Sequence, residues 1–228
     1  MQIYAHRGAS GDFPEHTEPA YLGAIEQGAD GFECDVRLTR DEVPVLWHNS
    51  SMLERAGSDS LIAELTYEQV KIRYPQILNL NQFLDIALSA DKGVLIETKH
   101  PVISGNRIEE VVEEILTSRK VLNRIDVSVM SFSWNAIEKM HRINKKIPTT
   151  FLLHGKTPLL QAKFSSASSI GPGISIVRER PEIIEKFRQW GRSINLWTVD
   201  SGSDVELARD LGVDILITNK PAQARTFL

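Results

Sequence analysis

The chain has 228 residues, 42% of them hydrophobic and 25% charged, with a formal net charge of −4. That is enough apolar material for one large α/β domain or two small ones, and the mild acidity excludes an extended nucleic-acid surface. Cys34 is the only cysteine, which excludes an internal disulfide and fits a reducing compartment.

Met1–His6 enters regular structure at once, without the basic start and apolar stretch of a signal peptide. No run approaches the ~18 apolar residues of a membrane-spanning helix. The expected location is the cytoplasm, with no stable membrane insertion; a homodimer is among the assemblies the sequence allows.

Short apolar runs then alternate with amphipathic helical patterns. Strands are predicted at Ile3–Ala5, Gly31–Leu38, Val43–Trp47, Val94–Lys99, Val127–Phe132, Thr149–Leu153, Ile174–Val177, Ile194–Val199 and Ile215–Thr218. Helices are predicted to begin near Thr17, Asn81, Arg107, Asn135, Pro181, Asp204 and Pro221, with a weaker one near Pro158. Gly28, Gly191 and Gly212 follow helical runs, where a left-handed cap is favoured. This alternation implies parallel strands with crossover helices. The fold expected is α/β, a TIM (β/α)8 barrel formed by residues 1–228 as one domain. An open doubly wound sheet is the second choice, weakened because no Gly-rich phosphate fingerprint follows the first strand. From about 48 to 79 the chain turns polar and irregular around a short helix-like run at Thr66–Tyr74. It reads as a small insertion at the C-terminal face of the barrel.

Glu33 and Asp35 stand two apart on a predicted strand, so both point to one face and Cys34 to the other. Adjacent carboxylates repel, and a cation, a shared proton or a flanking base must offset them. Glu97 and Lys99 repeat the spacing on another strand. His6-Arg7 and His48 end two more, and Trp197 lies on a late one. In a barrel these positions meet at the C-terminal mouth. Glu33, Asp35 and Glu97 form an all-oxygen set that suits Mg2+ or Ca2+. Arg7 and Lys99 would hold a phosphate ester, Trp197 is a candidate substrate contact, and His6 and His48 could move protons near neutral pH. Together they cover phosphodiester cleavage, which needs charge stabilisation, an activated nucleophile and a protonated leaving oxygen. Each also has a plainer role: a solvated carboxylate pair, a Glu97–Lys99 ion pair, a structural histidine, or tryptophans (Trp134, Trp190) packing helices onto the barrel. His100, His141 and His154 have no supporting pattern.

His6-Arg7-Gly8, Pro14-Glu15-His16-Thr17, Gly28 to Thr39, Pro44-Val45 with His48, Ile96-Glu97-Thr98-Lys99, Ser131-Phe132, Trp197-Thr198-Val199 and Thr218-Asn219-Lys220-Pro221 form an ordered set. In it the chain resembles the glycerophosphodiester phosphodiesterase family over nearly its whole length. The resemblance implies a TIM barrel with a small insertion, Mg2+ or Ca2+ on Glu33, Asp35 and Glu97, and acid/base roles for His6 and His48. It puts Arg7 and Lys99 on phosphate. The implied reaction is hydrolysis of glycerophosphodiesters to glycerol 3-phosphate and an alcohol, through attack of the glycerol 2-hydroxyl and a cyclic phosphate. His16 stands where the family usually has Asn, and Asn49 and Asn219 where it usually has Asp. Glu15, His16 and Asn49 are expected to support the site from behind. Two other readings remain open: a non-catalytic phosphoester-binding barrel, or phospholipase D-like activity on lysophospholipids, for which Leu53, Leu61 and Ile62 would have to form an apolar groove.

Overall fold

The computed structural model describes residues 1–228. β1 (Gln2–His6) is followed by α1 (Glu18–Glu26), which starts where the Thr17 side chain accepts from the Ala20 N–H and a proline occupies the first turn. β2 (Gly31–Leu38) leads into an excursion of β3 (Pro44–Leu46), β4 (Ser51–Met52), α2 (Leu53–Ala56), β5 (Ser58–Leu61) and α3 (Tyr67–Arg73). α4 (Leu80–Ser89) brings the chain back to β6 (Gly93–Thr98). The alternation then runs α5 (Arg107–Ser118), β7 (Val127–Ser131), α6 (Trp134–Ile143), β8 (Thr149–Leu153), α7 (Leu159–Phe164), β9 (Ser169–Pro172) and α8 (Ile174–Glu179). It ends with α9 (Ile183–Gln189), β10 (Ser193–Leu196), α10 (Gly202–Asp210), β11 (Ile215–Thr218) and α11 (Pro221–Arg225).

The sheet order β1-β11-β10-β9-β8-β7-β6-β2, with β2 paired back to β1, closes eight parallel strands into a TIM barrel. Alternation along each strand sorts the side chains. Phe32, Cys34, Val36 and Ile96 face outward into a cluster with Tyr21 of α1 and Phe83 of α4. Ile170, Ile194 and Leu216 do the same against Phe187, Val205 and Ala208 on the opposite side. The interior holds Tyr4, Leu95, Met130, Leu152 and Ile217. The Tyr4 ring fills the lower barrel, so Gly31 and Gly93 must be glycines: a Cβ would come within 2.3 Å and 2.2 Å of it. The excursion has its own small core of Val45, Trp47, Met52, Ile62, Leu65, Val70 and Ile77. No helix is long and apolar enough to cross a membrane.

Three expectations need correction. Ile174–Val177 is not a strand but most of α8; Ile176 and Val177 are buried while Ser175 and Arg178 are exposed, so the β-branched run is used at helical spacing. The barrel strand there is β9, Ser-Ile-Gly-Pro, where a Cβ on Gly171 would come within 2.5 Å of Leu152, which leaves no apolar run to read. The strand predicted at Val43–Trp47 shortens to β3 and runs antiparallel to the end of β2, outside the parallel set. Trp134, expected to pack a helix on the barrel, is 40% exposed at the start of α6, whereas Trp190 packs on Phe187 as expected.

Candidate active site

At the C-terminal ends of the strands, β1, β2, β6 and β10 bring His6, Arg7, Glu33, Glu97, Lys99 and Trp197 around a cavity of about 260 Å³, with His48 contributed by the turn after β3. Register sets this grouping. His6 pairs with Glu33 across β1–β2, and Asp35 with Glu97 across β2–β6, so carboxylates two apart on one strand meet a third on the next. Met130, Phe132, Leu152, Thr198 and Ile217 complete the wall. A larger groove of about 980 Å³ lies at the opposite end of the barrel, around Gln2, Tyr4, Asp126 and Asp214, and has neither the carboxylate set nor a histidine.

One oxygen each from Glu33, Asp35 and Glu97 lies within 4.8 Å of the others, and all three residues are buried. Asp35 is the hub. Its Oδ2 is 2.9 Å from Arg7 Nε and 3.0 Å from His16 Nε2, and its Oδ1 is 3.1 Å from Lys99 Nζ without a well-directed hydrogen bond. Lys99 Nζ is also 2.7 Å from Glu97 Oε1. Burial raises the Asp35 carboxyl, but the His16 hydrogen bond, Lys99 and Arg7 outweigh it and hold it well below the usual range. Glu33 goes the other way, pushed well up by burial and then by Asp35. Glu97 is pushed up to about 7 by burial and then Asp35, with Lys99 opposing. Three clustered, buried carboxylates with unequal proton affinity, one of them with an under-satisfied oxygen, fit a hard divalent cation. An oxygen-only donor set excludes a preference for soft metals.

Both cations are tied to carboxylates. Arg7 reaches Glu15 Oε2 through Nη1 at 2.8 Å while its Nε is on Asp35, and Arg55 Nη2 holds the same Glu15 oxygen at 2.9 Å. Arg7 and His16 both take left-handed backbone at φ 60, unusual for residues with a Cβ. The turn between them lets the Arg7 N–H donate to Glu33 Oε2 at 3.1 Å and the His16 N–H to the Arg7 carbonyl at 2.9 Å. His16 is buried with Nδ1 3.1 Å from the Tyr21 hydroxyl; burial pushes its imidazole down.

His6 Nε2 is 3.9 Å from Glu33 Oε2, and its Nδ1 is 2.7 Å from Asn219 Oδ1. Burial, then the Arg7 charge, push His6 down to about 4. His48 Nδ1 is 2.9 Å from Asn49 Oδ1, and Arg37 Nε and Nη2 grip the His48 carbonyl at 2.9 and 2.8 Å. Burial lowers His48, and the pull of Asp35 is opposed by Lys99 and Arg7. Trp197 donates Nε1–H to the Gly171 carbonyl at 2.8 Å, and its ring meets Phe132 edge-on at 5.3 Å.

Every site residue singled out from sequence lies at or directly behind this mouth. Not foreseen were the Phe132 wall, Arg55, Tyr21, Glu54 and Asp200: Arg55 meets Glu15 across 40 positions and Asp200 meets Asn219 across 19, while Tyr21 and Glu54, each only 5 positions from its partner, carry no motif that marks them. The groove sketched from Leu53, Leu61 and Ile62 does not form: Ile62 is buried in the excursion's core while Leu53 is 55% exposed. Of the unassigned histidines, His100 pairs with buried Glu109 at 2.8 Å, and His154 stacks on Phe132.

Residues 6–223 match the glycerophosphoryl diester phosphodiesterase family. The chain is 30% identical to the probable glycerophosphodiester phosphodiesterase 1 of Mycobacterium tuberculosis over 99% of this chain and 92% of that one. Its fold superposes on the glycerophosphodiester phosphodiesterase of Thermotoga maritima with a TM-score of 0.85 at 22% identity, covering 100% and 98% of the two chains. It superposes on an Oleispira antarctica phosphodiesterase, in complex with the product sn-glycerol-3-phosphate, with a TM-score of 0.82 at 20% identity, covering 100% and 96%.

Proposed function

The chain belongs to the glycerophosphoryl diester phosphodiesterase family and to its class of phosphoric diester hydrolases, and from that premise we propose that it hydrolyses glycerophosphodiesters to sn-glycerol 3-phosphate and an alcohol, with a divalent cation bound and two histidines moving the protons. The observation that carries this reading is the convergence of His6, His48, Lys99, Arg7 and three buried carboxylates on one cavity. Glu33, Asp35 and Glu97 would hold Mg2+ or Ca2+, which supplies positive charge to the phosphoryl oxygens when bound. Lys99 and Arg7 add fixed charge to the same oxygens, and Trp197 with Phe132 offers an apolar wall to the rest of the substrate. Residues 48–79 are read as the small insertion that carries His48 and Asn49 to the rim of a single domain.

His6, held neutral at working pH, takes the proton of the glycerol 2-hydroxyl as its oxygen bonds to phosphorus. The bond from phosphorus to the alcohol oxygen breaks, and His48 supplies that oxygen with a proton. A bound anionic diester offsets the repulsion that Lys99 and Arg7 exert on His48 and so favours its protonated form. Water then opens the cyclic ester with the two proton transfers reversed, which restores both imidazoles.

The test is release of glycerol 3-phosphate from glycerophosphodiesters with Mg2+, with Ca2+ and with EDTA. Activity should require a divalent cation. Full activity in EDTA, or in the Glu33→Gln/Asp35→Asn double variant, would refute the metal assignment, and saturable binding without turnover would refute the enzymatic one.

A further inference from the structure

Both cavity histidines meet an asparagine at Nδ1, and each asparagine is held from behind by a carboxylate. Asn219 Oδ1 lies 2.7 Å from His6 Nδ1, and Asn219 Nδ2 donates to Asp200 Oδ2 over 2.6 Å. Asn49 Oδ1 lies 2.9 Å from His48 Nδ1, and Asn49 Nδ2 donates to Glu54 Oε2. The carboxylates decide which way the amides point. A carboxylate only accepts, so the end of each asparagine turned towards it must be the NH2. The amide oxygen therefore faces the imidazole, and an oxygen there requires a proton on Nδ1. Nε2 is left to the cavity, as the 3.9 Å from His6 Nε2 to Glu33 Oε2 places it.

The His6 arrangement is the more firmly built. Asp200 Oδ1 also accepts the Asn219 backbone N–H at 2.8 Å and the Thr218 hydroxyl at 3.0 Å, and Ser10 Oγ is 2.7 Å from Asn219 Oδ1. Glu54 sits exposed on α2, so the His48 arrangement is the looser one.

We propose that Asp200 with Asn219, and Glu54 with Asn49, are positioning pairs that make Nε2 the working nitrogen of both His6 and His48. This rests on the catalytic reading of the two histidines. An amide oxygen accepts Nδ1–H whether Nε2 is bare or protonated, so one device serves either the base or the acid. It also keeps a full negative charge one residue away from each ring, while the carboxylate stops the amide from flipping. A flipped amide would donate to Nδ1, move the ring proton to Nε2 and disable the base.

The test uses the full chain with Mg2+, labelled with 15N-histidine, at neutral pH. Two-bond nitrogen–proton correlations separate the tautomers, and His6 and His48 are assigned by the signals lost in His6→Gln and His48→Gln. Both rings should carry the proton on Nδ1. Asp200→Ala should move His6 towards the Nε2–H form and leave His48 alone; Glu54→Ala should do the reverse. Asn219→Asp places two carboxylates against each other and should lower kcat by about 10- to 100-fold at unchanged KM. The exchange Asp200→Asn/Asn219→Asp, which restores one amide and one carboxylate, should recover kcat to within about 10-fold of the parent. An Nε2–H tautomer in the parent, unchanged tautomers in Asp200→Ala and Glu54→Ala, or an exchange variant no better than Asn219→Asp would each overturn the proposal. A lower melting temperature in Asp200→Ala with its tautomer intact would reduce Asp200 to a structural role and overturn it as well. If the parent cleaves no glycerophosphodiester while the tautomers shift as described, the functional reading fails and the ring positioning stands.

Discussion

Glu97→Gln should make the cation-free protein more stable at alkaline pH. Glu97 is buried on β6 beside Asp35, and burial followed by Asp35 pushes its carboxyl up from 4.5 to about 7, against Lys99 at 2.7 Å. An acid whose value is raised by folding stabilises the native state only while it is protonated. Its contribution is fully present below pH 4.5 and is lost as the pH rises through about 7. At about 1.4 kcal/mol per pH unit, that interval is worth about 3 kcal/mol. The amide never ionises, and Lys99 keeps Asp35 Oδ1 at 3.1 Å as a partner. With roughly 2–4 °C of melting temperature per kcal/mol for a chain of this size, the variant in EDTA at pH 8 should melt about 6–12 °C above the parent. The two should converge near pH 5. A bound cation supplies the missing positive charge, so Mg2+ or Ca2+ should raise the parent's melting temperature more at pH 8 than at pH 5 and should do much less for the variant. Calorimetric melts at both pH values, with EDTA and with cation, decide it. A parent as stable as Glu97→Gln in EDTA at pH 8 would refute the reasoning.

Three further outcomes follow from the geometry. His6→Ala and His48→Ala should each lower kcat by about 10²–10⁴-fold with KM held near the parent's, measured as glycerol 3-phosphate release; a change confined to KM would remove the proton-transfer roles. Trp197→Ala should raise KM roughly tenfold with a smaller loss in kcat, because it takes away an apolar wall rather than a reacting group, and initial-rate kinetics would show it. Phe32→Ala should cost about 3–5 kcal/mol in urea unfolding, since its ring is wholly buried between Tyr21 and Phe83 behind the cavity-facing side of β2.

Much of the barrel was legible because its signals are local. Seven of the eight staves coincide with predicted runs, and the caps at Gly28, Gly191 and Gly212 take positive φ as expected. β9 was not legible, since a stave that must be small beside Leu152 has no apolar signature, while the neighbouring Ile174–Val177 run looks more strand-like than it behaves. Trp134 shows the same limit: a large apolar residue at a helix start carries no mark of which way it will face.

At the site, the sequence alone determined which side chains share a face. A period of two puts Glu33 with Asp35 and Glu97 with Lys99 in any strand, and the ordered motifs from His6 to Pro221 carried the family. Only closure of the barrel decided which strands are neighbours and in what register, and so made Asp35 a partner of Glu97 and His6 of Glu33. Closure also brought Asp200 and Asn219 behind His6, and the excursion after β3 brought Glu54 behind Asn49 and His48. Those contacts join residues up to 213 positions apart. No local rule of propensity or spacing encodes a distance between strands; packing sets it.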